Sequence, residues 1–293
     1  MISNDEISNN FSLLAKLMDI HGENPFKAKS YAAAAFSVDK VPTPLSEMPK
    51  NSIFSIKGIG ESAGNRIIEM LQTGKLQILE DIIQNTLPIL KKKKLTNRVD
   101  IFIEKNFFEK DAGKKYLAEF QKQGFDITIH ANQLSQSGGA ELAIELKAKS
   151  ADHVIQLSDE TIQSFGKSEV VTVLLPAADL YMKCDYPQAR KLIDAGATVA
   201  LATDFNPGTS PTQDLMLVGL LARLKMGMTL PEVFQAYTIN AARALGLDAE
   251  EGSLEVGKKA NFICTEADLT DFFYSAGAVP KHHLFIGGKQ VKV

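Results

Sequence analysis

Apolar positions recur at helical spacing through the first ninety residues of the chain. Ile7, Phe11, Leu14, Leu17 and Met18 mark a first helix, and Tyr31, Ala32, Ala35 and Phe36 a second, opened by Asn24-Pro25. Val41–Pro49 contains three prolines and reads as a loop. Ile53–Glu69 reads as helix, a tight Gly-Ile-Gly turn, then helix, stopped at Thr73-Gly74-Lys75. Leu76–Leu90 reads as a further helix, and Lys91–Lys94 as a solvated charge run.

From Val99 the period changes. Val99–Glu104 and Phe125–His130 read as strands, with a helix over Ala112–Gln123 between them. A helix at Gly139–Leu146 and a short strand at His153–Leu157 follow. Next come an apolar strand at Val170–Leu175 stopped by Pro176, a helix at Pro187–Ala195, and a strand at Thr198–Ala202. Asp214–Met226 and Pro231–Leu245 close the series as helices. Strands alternating with helices predict parallel βα units. After Gly246 short strands and turns predict a small terminal β-structure. The predicted fold class is therefore α/β: five βα units of a partial barrel with a small C-terminal β-structure, preceded by an all-α domain. The boundaries fall at residues 1–90, a linker at 91–98, and 99–293.

Composition alters this picture little. Over 293 residues, apolar content is 45% and charged content 23%, which is ordinary for a globular chain. The net charge of −3 is not that of a protein that coats nucleic acid. Residues 1–94 carry 12 Lys/Arg against 10 Asp/Glu, a net of +2, and the remainder 20 against 25, a net of −5. Cys184 and Cys264 lie far apart and form no metal-type pair. No apolar run approaches the ~18 residues of a membrane span, and the first residues lack the pattern of a signal peptide. These readings predict a cytoplasmic protein with no membrane partner.

Two stretches carry candidate chemistry. Lys57-Gly58-Ile59-Gly60, followed by Glu61–Met70, has the layout of a helix-hairpin-helix. Such a hairpin can turn backbone N–H groups toward a phosphate; an ordinary helix–helix corner has the same residues. The second stretch is Thr203–Ser210 (T-D-F-N-P-G-T-S), which sets Asp204 just past a buried strand. Asp204 there is either a metal-binding and proton-carrying carboxylate or the start of an Asx-turn. His130 and His153 stand beside two other predicted strands, with His153 heading V-I-Q-L. A neutral imidazole can bind a divalent metal, and a lone histidine at a strand end is more often structural.

The surrounding text resembles two families. E-N-P-F-K-A-K-S-Y-A-A-A-A-F, I-K-G-I-G and L-Q-T-G-K-L resemble the N-terminal domain of family X DNA polymerases over roughly residues 5–90. The resemblance implies DNA-backbone contact through Lys57, Gly58 and Gly60, within residues 57–66. Arg66 stands where some members carry a Schiff-base lysine, and a guanidinium cannot do that chemistry. I-H-A-N-Q-L-S-Q-S-G-G-A-E-L-A, K-S-A-D-H, L-I-D-A-G-A-T-V-A-L-A-T-D-F-N-P-G-T-S-P and T-I-N-A-A-R-A-L-G-L closely resemble imidazolonepropionase. That family is a metal-dependent amidohydrolase with a TIM-type barrel, converting 4-imidazolone-5-propanoate to N-formimidoyl-L-glutamate with zinc or iron. The resemblance implies His130 and Asp204 as metal ligands and His153 as the group that steadies the attacking water or developing charge. It implies Gln133, Asn206, Gly208 and Thr209 as substrate contacts.

The family also uses an H-x-H pair on its first barrel strand. The histidines here are His21, His130, His153, His282 and His283, and none forms H-x-H. His282-His283 reads as a turn or edge feature. Reduced metal affinity is expected, together with open sheet edges that self-association or a partner chain would cover. Three readings stay open: a hydrolase that needs a second part, a DNA-binding module carrying a non-catalytic remnant, and a fusion without joint function.

Overall fold

A computed structural model of the chain describes residues 2–20, 24–74, 76–78, 89–105 and 107–291. It divides into two compact units, Met1–Asn97 and Arg98–Val293.

In the first unit the helical apolar spacing produces α1 (Asn4–Ile20), α2 (Pro25–Asp39), α3 (Lys50–Ile53) and α4 (Glu61–Thr73). Pro25 opens α2 in its first turn, where a missing N–H costs nothing, and the Asn24 side chain caps it by accepting from Phe26 N. Ile7, Phe11 and Leu14 of α1 pack with Ala34 and Val38 of α2 and Ile67 and Met70 of α4, all wholly buried. Most of the helix expected over Leu76–Leu90 lies outside the described residues, as does His21. Residues 89–93 are helical, and Lys91–Lys94 are exposed.

The second unit alternates strand and helix: β1 (Arg98–Ile103), α5 (Lys110–Lys122), β2 (Asp126–Ala131), α6 (Gly139–Glu145), β3 (Ser150–His153) and α7 (Asp159–Phe165). It continues with β4 (Val171–Leu174), α8 (Pro176–Met182), α9 (Ala189–Asp194), β5 (Val199–Leu201), α10 (Leu215–Met226), α11 (Leu230–Tyr237) and α12 (Ile239–Leu245). The five strands form one parallel sheet in sequence order, with β1 and β5 at its edges. This is a parallel arc of a barrel, with both edges unpaired among the described residues.

The register decides which side chains share a face. Ile101, Ile103, Ile127, Ile129, Ala151 and Leu174 point to the side covered by helices and form the main core. Phe102, His130 and Asp152 stand in register across β1, β2 and β3 on the opposite, partly exposed face. Toward the other edge α12 covers part of that face, where Ala244 meets Val171 and Ala200.

Five details of the sequence reading change, the first being that the helix expected over Pro231–Leu245 divides at Thr238 into α11 and α12. The third strand is Ser150–His153, so His153 ends it rather than heading a strand over His153–Leu157. The apolar V-I-Q-L run supplies buried loop residues, whereas K-S-A-D-H pairs with both neighbouring strands. Helices α7 and α8 are additional. The expected helix at Pro187–Ala195 is shorter, Ala189–Asp194. The C-terminal β-structure is an antiparallel sheet of β6 (Phe262–Thr265), β7 (His282–Ile286) and β8 (Lys289–Val291), and β7 is central. His282-His283 therefore opens a central strand instead of forming a turn or an edge, because Cys264 and Thr265 pair with it.

Candidate functional site

The strand ends of β2, β3 and β5 bring His130, His153 and Asp204 together. His130 projects from the open face by strand alternation. His153 ends β3 with φ +72°, followed by Val154 at +45°, and this left-handed kink breaks the alternation that would otherwise continue. The two imidazoles meet with ring centroids 4.1 Å apart, and Phe102 packs edge-on against His130 at 3.7 Å. Asp204 also adopts a left-handed backbone, φ +52°, and its Oδ2 lies 4.0 Å from His153 Nε2. Non-glycine residues held there cost of order 1–3 kcal/mol each and cluster where function requires the geometry.

Burial decides the charge state. It pushes His130 down to about 2, aided by the neighbouring His153, and His153 down to about 4. Both imidazoles are neutral at pH 7, so the 4.0 Å approach to Asp204 is proximity rather than an ion pair, and it is too long for a hydrogen bond. His130 Nε2 and His153 Nδ1 are buried without a partner. The Asp204 carboxyl is raised by burial, an effect opposed by Asn206.

The loop after β5 contains an Asx-turn. Asn206, not Asp204, makes the Asx-turn: its Oδ1 accepts from Gly208 N (2.9 Å) and Thr209 N (2.7 Å). Its Nδ2 donates to the Asp204 carbonyl and to Thr209 Oγ1, both at 2.8 Å. Asn206, Gly208 and Thr209 thus spend these groups on the loop, and the Asp204 side chain is not the acceptor of the turn. Gln133 is buried on the loop after β2 and donates through Nε2 to Met182 Sδ of α8 at 3.6 Å.

Three residues at this end of the sheet escaped the sequence reading. Glu104, just past β1 and buried, accepts from Leu134 N at 2.9 Å and Ser135 Oγ at 2.5 Å, bracing the loop that carries Gln133. Asn132, with φ +50°, ties the same loop to the Gln156 carbonyl and to Ala140 N. Asp179 of α8 is wholly buried with both carboxyl oxygens unpartnered, and burial and Asp204 push it up to about 7. A single acid inside P-A-A-D-L-Y-M was the available signal for Asp179. Among the described residues, no group of three or more His, Cys, Asp or Glu is placed to hold a metal ion. A catalytic zinc is usually held by three protein ligands plus water, so these residues alone do not fit one.

In the helical unit, Lys57 is exposed and Gly58 turns the hairpin with φ +93°. A Cβ at Gly58 would lie 2.3 Å from Ser37 Oγ, so this turn needs glycine for both conformation and space. Gly60 is the N-cap of α4, whose first-turn N–H groups have no intrahelical acceptors. Arg66 bonds Glu69 at 2.6 Å on the same helix.

Comparison with known proteins follows this division. Residues 106–291 match the amidohydrolase family, and residues 2–76 match a helix-hairpin-helix domain. Imidazolonepropionase from Bdellovibrio bacteriovorus is 56% identical over 210 residues, covering 72% of this chain and 50% of that protein. The Bacillus velezensis imidazolonepropionase is 44% identical over 182 residues, covering 62% and 43%. The chain thus spans about half the length of these curated relatives. Among solved structures, an adenosine deaminase from Xanthomonas campestris with bound zinc superposes with a TM-score of 0.57 at 16% identity, covering 99% of this chain and 70% of that one. A mutant atrazine chlorohydrolase TrzN from Arthrobacter aurescens, complexed with zinc and atraton, gives 0.58 at 16% identity, covering 72% and 55%. At these identities the likeness is one of fold.

Proposed function

The chain belongs to the amidohydrolase family, and on that premise we propose that it supplies one part of an imidazolonepropionase-like active site. The reaction is hydrolysis of the cyclic amide C–N bond of 4-imidazolone-5-propanoate to N-formimidoyl-L-glutamate. The observation that carries this reading is the meeting of His130, His153 and Asp204 at the C-terminal ends of three parallel strands, the end where barrel enzymes keep their chemistry. Asp204, half-buried with a raised carboxyl, is suited to take a proton from the attacking water and pass it to the leaving nitrogen. His153, held neutral, donates a hydrogen bond to the oxygen that gains charge. Gln133 orients the substrate from the loop braced by Glu104.

Zinc or iron, which the likeness to imidazolonepropionase implies, finds two ligands here, His130 and Asp204. The others must come from polypeptide beyond these residues, which would also pair the open edges at β1 and β5. The test is turnover of 4-imidazolone-5-propanoate by the chain alone and by the chain co-expressed with an H-x-H-bearing first-half fragment of the Bdellovibrio bacteriovorus enzyme, with zinc or iron added. Turnover is expected in the pair only, falling ~10²–10⁴-fold for Asp204→Asn. No turnover in either sample would remove the reading.

A second activity is supported by the helical unit. Lys57, Gly58 and Gly60 form a tight hairpin at the start of α4, where N–H groups and helix dipole favour a DNA-backbone phosphate. Binding of the full chain to gapped duplex DNA should weaken as salt rises and be lost in Gly58→Val. Binding at background level at low salt would reject it.

A further inference from the structure

Helix α2 carries an aromatic side chain that the core does not use. Helical spacing counts Phe36 with Tyr31 and Ala35, yet those two are buried and Phe36 is 62% exposed. At about 100° per residue its ring points away from the face of α2 that Ala28, Ala34, Ala35 and Val38 bury. A single exposed phenylalanine is ordinary on a protein surface. Three features set this one apart. Lys40 Nζ lies 3.8 Å from the centroid of its ring, a cation–π contact held at the C-cap of α2, where Lys40 N donates to the Ser37 and Val38 carbonyls. Lys29 shares the exposed face, whereas Asp39, the only acid of α2, lies about 100° round the helix from Lys40. The Gly58 hairpin abuts the same stretch: a Cβ at Gly58 would meet Ser37 and lie 3.8 Å from the Ala33 carbonyl oxygen. Ala33 and Phe36, three apart, are neighbours on the helix surface, and Ser37 adjoins Phe36 in the chain. The hairpin and the exposed ring therefore lie side by side within this unit.

We infer that Phe36 is a stacking platform for an unpaired base of a DNA strand whose backbone passes over the Lys57–Gly60 hairpin. An aromatic ring stacks on the face of any base, and Lys40 and Lys29 supply positive charge for the phosphates that flank it. Charge separates this occupant from an apolar protein surface. Such a surface would cover the Lys40 ammonium and leave it without a counter-charge, whereas a phosphate neutralises it. Bases inside a duplex are already stacked on their neighbours, so Phe36 acts where a strand is unpaired, as in a gap. The inference rests on the DNA-backbone reading of the hairpin and adds the side chain that tells unpaired from paired DNA.

The test uses the full chain and two fluorescein-labelled duplexes of one sequence, one fully paired and one with a gap of several unpaired nucleotides. Anisotropy titration at low salt gives both affinities. Phe36→Ala should weaken binding to the gapped duplex ~5-fold or more, the loss of one base–aromatic stack. It should leave binding to the paired duplex and the helical circular dichroism unchanged, because the ring is exposed. Lys40→Gln should lower the salt dependence of binding by about one phosphate contact. Phe36→Trp gives the chain its only tryptophan, whose fluorescence should be quenched by the gapped duplex and not by the paired one. Wild-type affinity of Phe36→Ala for the gapped duplex, an equal loss on both duplexes, or an unquenched Phe36→Trp overturns the inference alone. So does a wild-type chain that sediments as a dimer with a monomeric Phe36→Ala variant, which would assign the face to a second copy. Failure of the wild-type chain to bind either duplex overturns the DNA reading of the hairpin and this inference with it.

Discussion

Replacing Asp179 by Asn should stabilise the protein, and only where the acid is ionised. Burial and the nearby Asp204 raise the carboxyl from 3.8 to about 7. Such a group favours its protonated form when folded, so folding incurs no charge cost below the unfolded value. As pH rises through 4 the unfolded chain ionises first and stability is lost, until the folded carboxyl ionises as well near pH 7. Holding the carboxyl at about 7 instead of 3.8 is worth ~4 kcal/mol, and local relaxation around the ionised group brings the expected cost to ~2–4 kcal/mol. For a unit of this size that is ~4–16 °C in melting temperature. Asn preserves the shape and removes the charge, so Asp179→Asn should melt higher than the wild-type chain at about pH 8 and close to it at about pH 4. Scanning calorimetry at the two pH values measures both gaps, with the first unit's transition as an internal reference. A variant that melts lower at about pH 8, or a gap that does not change with pH, would refute the reasoning: the carboxyl would then have a partner that stabilises its charge.

Other consequences are equally direct. Gly58→Ala should destabilise the helical unit by ~1–2 kcal/mol through its left-handed backbone and its encounter with Ser37. Gly60→Ala, with φ −80° and nothing within 4 Å, should cost less than that, and urea unfolding followed by helical circular dichroism separates the two. Asp214→Ala removes the cap that accepts from Met216 N and Leu217 N at the start of α10, at a cost of ~1 kcal/mol in urea unfolding of the second unit. The purified chain should carry zinc or iron well below one atom per molecule, as measured by plasma emission, because the described residues bring no three metal ligands together. One firmly held atom per chain would show that the site completes itself.

Long periodic segments were legible from the residues because their spacing extends over several turns: α1, α2, α4, α5 and α10 each lie within or overlap the predicted helices. Helices α7 and α8, of seven residues each, were not. Pro176 was read as the end of a strand, and it is also the first residue of α8. The third strand was displaced because the apolar run after His153 is a stronger strand signal than K-S-A-D-H, and sheet pairing overrode it. Among the candidate-site residues, His130, His153 and Asp204 were visible as polar, titratable side chains beside strands. Asp179 was not, because the importance of an acid inside an apolar stretch depends on whether anything pairs with it.

By itself the sequence determined the two-part organisation, the parallel βα order and the family. These follow from hydrophobic period and from motif text, both of which are local along the chain. Tertiary structure alone decided three matters. Left-handed backbone at His153 and Asp204 brings their side chains toward one point. Asn206, and not Asp204, supplies the acceptor of the Asx-turn. Asp179 is wholly buried with nothing to bond. The approach of His153 to Asp204 and the burial of Asp179 depend on residues far apart in the chain, which only packing brings together, and the turn at Asn206 depends on local backbone angles that the residue types leave open.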